Sequence, residues 1–181
     1  EYQGLILGIL NGATLLAVPF WTYAALKIGK KNTWLLAMIA LLIGFSIFYY
    51  YPISDLNTLL YILVFIGFGN GATGVLFWSM LPDTIEYGEW KSGIRTESSL
   101  YGFMTFAQKG AVGIAVFILG IALTGIGFEP NQEQSEETLK ALKNLMSIIP
   151  LIGVCISFAL LYFYPIDKNF HEKLIQDIEN R

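Results

Sequence analysis

LNTLLYILVFIGFGNGATGVLFWSMLP, residues 56–82, runs for 27 residues without an acid or a base. A helix rises about 1.5 Å per residue and a bilayer's hydrocarbon core is about 30 Å thick, so about 20 apolar residues span it. Outward from this stretch the pattern repeats. Residues 2–26, 32–54, 110–128 and 144–166 are further charge-free runs of 25, 23, 19 and 23 residues. The run at 110–128 is the shortest, and it extends back over 98–108 if Lys109 is tolerated inside a span. Five transmembrane helices are predicted, near 4–26, 33–51, 57–81, 99–127 and 144–164. Lipid offers no partner for free backbone amides, so these runs must be helices rather than open sheet. The expected fold class is an all-α polytopic membrane protein, with a transmembrane bundle over 1–165 and a tail over 166–181.

Composition agrees. Of 181 residues, 55% are hydrophobic and 14% charged, and mean hydropathy is +0.57. A soluble domain carries about 25% charged residues, and a disordered chain needs low hydrophobicity. Five such runs in a large soluble protein's interior would leave too little polar surface to cover them. One Cys excludes a disulfide framework or cysteine zinc site, and one His a histidine metal cluster. A net charge of -3 gives no basic footprint for nucleic acid. No HExxH or GxSxG motif points to a membrane enzyme, and His171 is read as a solvated tail residue. The chain opens on Glu1 and enters a span almost at once, without the basic region of a signal peptide, as a piece of a longer protein would.

Five spans put segments 27–32, 82–98 and 165–181 on one side. These hold Lys27, Lys30, Lys31, Lys91, Arg95, Lys168, Lys173 and Arg181, whereas the other side holds only Lys140 and Lys143. Positive-inside bias then places the C-terminus in the cytoplasm of a cell (inner) membrane. Phe48–Tyr51 and Tyr162–Tyr164, each followed by proline, read as interfacial belts that close helices. Glycines inside the third and fourth spans suit close helix packing.

Three features stand out against this apolar background. Lys109 lies about ten residues into the fourth span, where a charge costs at least about 2.5 kcal/mol. A cavity or polar ligand, a carboxylate partner, or snorkelling to the interface would each accommodate it. Thr105 and Tyr101 precede it at i-4 and i-8 on one helix face, offering hydroxyls beside an ammonium. Gln108 points about 100° away. The second feature is LPDTIEYGEWKSGIRTESSLYG, residues 81–102, read as a loop. Its Asp83, Glu86, Glu89, Lys91, Arg95 and Glu97 suit an ion-pair latch between helix ends, a solvated loop, or a divalent-metal carboxylate cluster. Against metal, Tyr87-Gly88 is read as breaking the run, and no histidine accompanies it. The third is the basic turn LKIGKKN, residues 26–32, which suits an anchor to anionic headgroups or a turn that locks against a neighbour.

The stretch 81–110 together with GFEPNQEQSEETLKAL (127–142), PFW at 19–21 and GKK at 29–31 resembles the glycoside–pentoside–hexuronide:cation symporter family. That family belongs to the major facilitator superfamily, and its best-known member is the bacterial melibiose:sodium symporter. The pattern D-x-x-[DE]-Y-G-E-x-K-x-G-x-R-x-E, here Asp83, Glu86, Tyr87, Gly88, Glu89, Lys91, Gly93, Arg95 and Glu97, is its most specific element. The resemblance implies spans eight to twelve of a twelve-span fold. It implies that Lys109 faces a central cavity near the cation and sugar sites, with Thr105 close to the sugar; Tyr101 is added to this substrate and cation cavity by the shared helix face. Asp83, Glu86 and Arg95 match a cytoplasmic charge cluster that closes the inside, and Glu89 and Glu97 of the same charged segment are counted with them as the cytoplasmic gate. The partners implied are a sugar or glycoside, a coupling cation (Na⁺ or H⁺), the lipid bilayer and a missing N-terminal half that carries the acidic cation site. No other cofactor is expected. The alternative reading is a non-transporting membrane scaffold or subunit from a truncated gene.

Overall fold

The computed structural model describes residues 2–53 and 55–180. Glu1, Ser54 and Arg181 lie outside the described residues, and Arg181 is one of the cations counted above. Five helices are long and apolar enough to cross a membrane. They are α1 (Gln3–Ile28), α2 (Lys30–Tyr50), α3 (Leu56–Ser92), α4 (Glu97–Gly125) and α5 (Glu136–Tyr162), followed by a short α6 (Lys168–Glu179). The chain is therefore all-α and polytopic.

Local chemistry sets the boundaries. Only Gly29 separates α1 from α2, at φ 84°, a left-handed conformation that glycine adopts without a Cβ penalty. Asp55 caps α3 by accepting from the Thr58 amide at 2.9 Å. Hydrogen bonding from Thr58, its side chain first and its amide second, holds the exposed Asp55 carboxyl below its ordinary pKa. Ser135 caps α5 through the Thr138 amide, with Glu136 and Glu137 in the first turn favoured by the helix dipole. This cap starts the helix before the predicted span at 144. Lys140 and Lys143 therefore stand on a helix, and Lys143 reaches across to the Tyr51 carbonyl at 2.8 Å.

The largest departure from expectation is α3. It does not end at 81 but runs on through Pro82 to Ser92. Proline removes the donor that would have served the Trp78 carbonyl. Next along the ladder, the Ser79 carbonyl accepts from Lys30 Nζ at 2.7 Å, and Thr84 Oγ1 donates to Met80 O at 3.0 Å. The helix continues past the proline, with these side-chain bonds on the carbonyls that follow Trp78. Asp83, Glu86, Glu89 and Lys91 thus lie on a rigid helical extension, not on a loop, and Tyr87-Gly88 does not interrupt it. The helix stops at Gly93, which takes φ 73° and donates to Glu89 O.

α3 is the axis of the bundle. α1, α2, α4 and α6 all touch it, and α5 packs on α2. The α1–α3 contact rests on small residues. A Cβ on Gly67 would lie 2.7 Å from Leu10 O and 2.9 Å from Ala13 Cβ; one on Gly71 would lie 2.7 Å from Thr14 O and 2.8 Å from Ala17 Cβ. Gly67 and Gly71 on α3 thus face Ala13 and Ala17 on α1, two small-xxx-small pairs that bring the backbones together. Trp21 Nε1 donates to the Phe68 carbonyl at 2.6 Å, and Trp34 Nε1 to Ser157 Oγ at 2.8 Å, which ties α1 to α3 and α2 to α5. Ala37, Ala72 and Leu76 are completely buried in the resulting core.

α4 behaves differently. None of its residues is buried, and its one appreciable contact is a slight one with α3. A Cβ on Gly110, Gly113, Gly120, Gly125 or Gly127 would meet nothing within 4 Å. The close packing expected of these glycines is absent among the described residues, because no helix stands opposite them.

Replacing Gly71 by Ala should lower stability by about 1–3 kcal/mol, the cost of overpacking a tight contact. Gly74→Ala, with nothing within 4 Å, should leave it unchanged or raised. Thermal midpoints of the protein purified in detergent check this, and equal midpoints for the two variants would contradict the α1–α3 contact.

Candidate functional site

The charged side chains gather where the α1–α2 turn, the end of α3 and α6 meet. Lys30 Nζ lies 2.6 Å from Asp83 Oδ1, with the Asp83 side chain 8% exposed and the lysine 33%. Its second bond goes to the Ser79 carbonyl, so one ammonium neutralises a buried carboxylate and serves the backbone beside Pro82. Lys31 Nζ donates to the Tyr164 carbonyl. Lys30 and Lys31 of the turn are therefore engaged within the chain and lock α2 against its neighbours.

α6 completes this end. Asp167 caps it by accepting from the Phe170 amide at 2.8 Å. Leu174, 1% exposed, is its anchor. Phe170 sits against Trp90 and Tyr87 with ring centroids 5.8 and 6.1 Å away, and Trp90 Nε1 donates to Asp177 Oδ2 at 3.0 Å. Lys168 Nζ lies 3.2 Å from Leu26 O and 3.4 Å from Lys27 O, at the α1 C-terminus, where a cation is favoured. His171 does not sit in solvent as a tail residue would. Its Nε2 is 2.6 Å from Glu86 Oε2 and 3.6 Å from Asp83 Oδ1. Ionised carboxylates only accept, so Nε2 carries the proton. Between these groups lies a polar cavity of about 220 Å³, bordered by Lys30, Asp83, Lys168, His171 and Glu172.

The other gate candidates form a separate group. Arg95 Nη1 is 2.9 Å from Glu89 Oε2 and its Nε 3.2 Å from Glu97 Oε2. The two hydrogen bonds raise the guanidinium's pKa further, Glu89 being the larger cause. This trio staples the α3–α4 turn but does not reach Asp83 or Glu86. The exposed pairs contribute little stability individually.

Metal was one sequence-level alternative for Asp83, Glu86 and Glu89. Glu89 is turned to Arg95. Asp83 and Glu86 are instead joined by a histidine, with one donor atom from each of the three within 4.8 Å of the others. Asp83 also meets the Lys30 ammonium, so the group is part of an ion-pair network.

Tyr101, Thr105 and Lys109 lie along one face of α4, and Thr105 Oγ1 back-bonds to Tyr101 O at 2.8 Å. Lys109 is exposed and makes no hydrogen bond or ion pair with the described residues. The groove between α3 and α4 is lined by Gln108, Met104 and Phe77 instead. The lysine face is therefore turned away from this bundle. Sequence reasoning missed His171, whose partners lie 85 and 88 residues away. The detectable signal was the spacing of Phe170, Leu174 and Ile178 behind the Asp167 cap, which marks an amphipathic helix.

A family model described as MFS/sugar transport protein matches residues 2–168. The chain belongs to this family. It is 32% identical over 171 residues to a putative sulfoquinovose importer of Escherichia coli, covering 94% of this chain and 36% of that protein. Against the glucuronide carrier protein homolog of the same organism, identity is 31% with 93% and 37% coverage. Against the isoprimeverose transporter of Lactiplantibacillus pentosus it is 32%, with 97% and 36% coverage. The chain thus spans little more than a third of the length of these curated relatives. The family is one of sugar-transporting permeases, not of enzymes.

Lys30→Met should destabilise the protein by about 1–3 kcal/mol, since it leaves the buried Asp83 carboxylate without its nearest cation. Asp83→Asn in the same background should recover part of that loss. Thermal midpoints check both, and an undiminished midpoint for Lys30→Met would contradict the pairing.

Proposed function

We propose that the chain is the C-terminal part of a cation-coupled symporter, which moves a sugar or glycoside with Na⁺ or H⁺ by alternating access. The observation that carries this reading is the contrast between the two polar sites. At the charged end, Lys30 and Arg95 are matched by carboxylates, and His171 meets Glu86 and Asp83. On α4, Lys109 stands inside an apolar helix with no partner among the described residues. A membrane-embedded cation is expensive unless something faces it, so the α4 face is the side that meets the rest of the protein.

In this reading α1 to α5 are spans eight to twelve of a twelve-span transporter. A second bundle packs against the exposed face of α4, and the cavity between the bundles takes the substrate. Tyr101 and Thr105 present hydroxyls to it, while Lys109 donates to an oxygen of the sugar or balances acids across the cavity. The coupling cation binds in the part of the protein outside this chain. Rocking of the two bundles exposes the site to either side in turn. The charged end is cytoplasmic by the lysine and arginine bias, and its ion pairs hold the inner side closed in the outward-facing state. Support for the sugar class comes from the relatives, a sulfoquinovose importer, a glucuronide carrier homolog and an isoprimeverose transporter by their names.

Lys109→Ala in the full-length transporter should abolish accumulation of sugar against its gradient while the protein remains folded and inserted. Uptake of labelled glycosides into cells or vesicles, with and without Na⁺, reads this and identifies the cation. Normal coupled uptake by the variant would remove Lys109 from the mechanism. A reporter fused after α6 should read as cytoplasmic, and an external reading would overturn the orientation.

A further inference from the structure

His171 is placed where its charge decides the balance of its surroundings. From α3 it faces Glu86 at 2.6 Å and Asp83 at 3.6 Å. From α2 the facing cation is Lys30, already bound to Asp83. Among the neighbours on its own helix, Asp167 is spent on the helix cap and Lys168 on the Leu26 and Lys27 carbonyls. Glu172 borders the same cavity. Lys27 and Lys91 are turned to the rings of Tyr23 and Tyr87. In direct contact the imidazole therefore meets Glu86 and Asp83, the latter bound to Lys30, and Asp167, Lys168 and Glu172 on its own helix add a further net negative charge around the cavity. A neutral ring leaves these surroundings with an excess of negative charge, and an imidazolium offsets part of it.

We propose that α6 is a proton-sensitive clasp: as imidazolium, His171 bridges Glu86 and Asp83 and holds α6 onto the end of α3, and loss of that proton loosens the helix. Histidine is the side chain whose charge changes between about pH 5 and 8. A charge-assisted hydrogen bond is about twice as strong as a neutral one. Deprotonation leaves a single neutral donor on Glu86 and restores the excess negative charge beside Asp83. The contacts that do not depend on this proton include the packing of Leu174 and Phe170, the Trp90–Asp177 bond and the Lys168 bonds to the end of α1. They form a small footprint for a helix of 12 residues, which isolated in water would be marginal. α6 also touches the turn at Gly29, where a Cβ would meet Lys168 Cβ at 3.0 Å. Its docking thus ties together the ends of α1, α2 and α3, and a change in His171 charge acts on all three. The sign follows from the charges: acid favours the docked helix, and rising pH releases it.

Nitroxide labels at Gln176 on α6 and at Tyr61 near the far end of α3, in the full-length protein with Cys155 replaced by Ser, report the docking as an electron–electron distance distribution. One narrow distance is expected at pH 6 and a several-fold larger displaced population at pH 8.5. His171→Gln should abolish the pH response, and His171→Arg should keep α6 docked at both values. An identical distribution for the unsubstituted histidine at the two pH values would overturn the clasp, and that arm decides even where a variant fails to fold. A His171→Gln protein that keeps the full pH response would also overturn it. The readout is a helix position, so it stands apart from whether the protein moves sugar.

Discussion

The hydrocarbon core of a membrane accepts neither a free backbone amide nor an unpaired charge, and every large feature of this protein follows from that refusal. Backbone groups are satisfied inside helices, so the chain is helical wherever it is apolar. Charges are driven to the ends, and at one end they are dense enough to pair with each other. Where the rule is bent, something compensates. Pro82 takes one donor from the helix, at the Trp78 carbonyl, and the Lys30 ammonium and Thr84 hydroxyl add bonds to the Ser79 and Met80 carbonyls beside it. Lys109 bends the rule without compensation from the described residues, and that is why it carries the functional reading.

α3 links the two regimes. Its first half meets α1 through glycines and alanines, a contact decided by shape, because apolar side chains gain nothing from leaving lipid for one another. Its second half leaves the apolar segment and carries Asp83, Glu86 and Glu89 on successive turns. One rigid element thus connects the packed interior to the ion-pair network. A shift of α3 against α1 would have to be felt at Lys30 and at α6. In the proposed alternating-access reading, a coupling between the two closures would run through this continuous helix.

The five spans were legible in the sequence because charge is so scarce: each interruption in 181 residues marks an end. Pairing across space was not legible. Asp83 and Lys30 are 53 residues apart and Glu86 and His171 are 85 apart, and neither spacing has a local signature. The stretch after Leu81 was read as a loop because proline and alternating charges ordinarily end a helix. The helix nevertheless runs through Pro82 to Ser92. His171 was read as solvated because its segment was polar, although the positions of Phe170, Leu174 and Ile178 already described a helix with one apolar face. For α4 the reverse holds. Its apolar run predicted the helix well, but no local pattern says which neighbour covers its glycines.

The account treats the chain as the part of a transporter that shapes a cavity on one side and bars it at the charged end. Its central claim is that the whole protein uses a cation gradient to concentrate a sugar. The direct measurement is uptake of labelled glycoside by proteoliposomes holding the full-length protein, with an imposed Na⁺ or proton gradient and no other energy source. The account predicts accumulation above the external concentration that collapses when an ionophore dissipates the gradient. Uptake that only reaches equilibrium, whatever gradient is imposed, would contradict it.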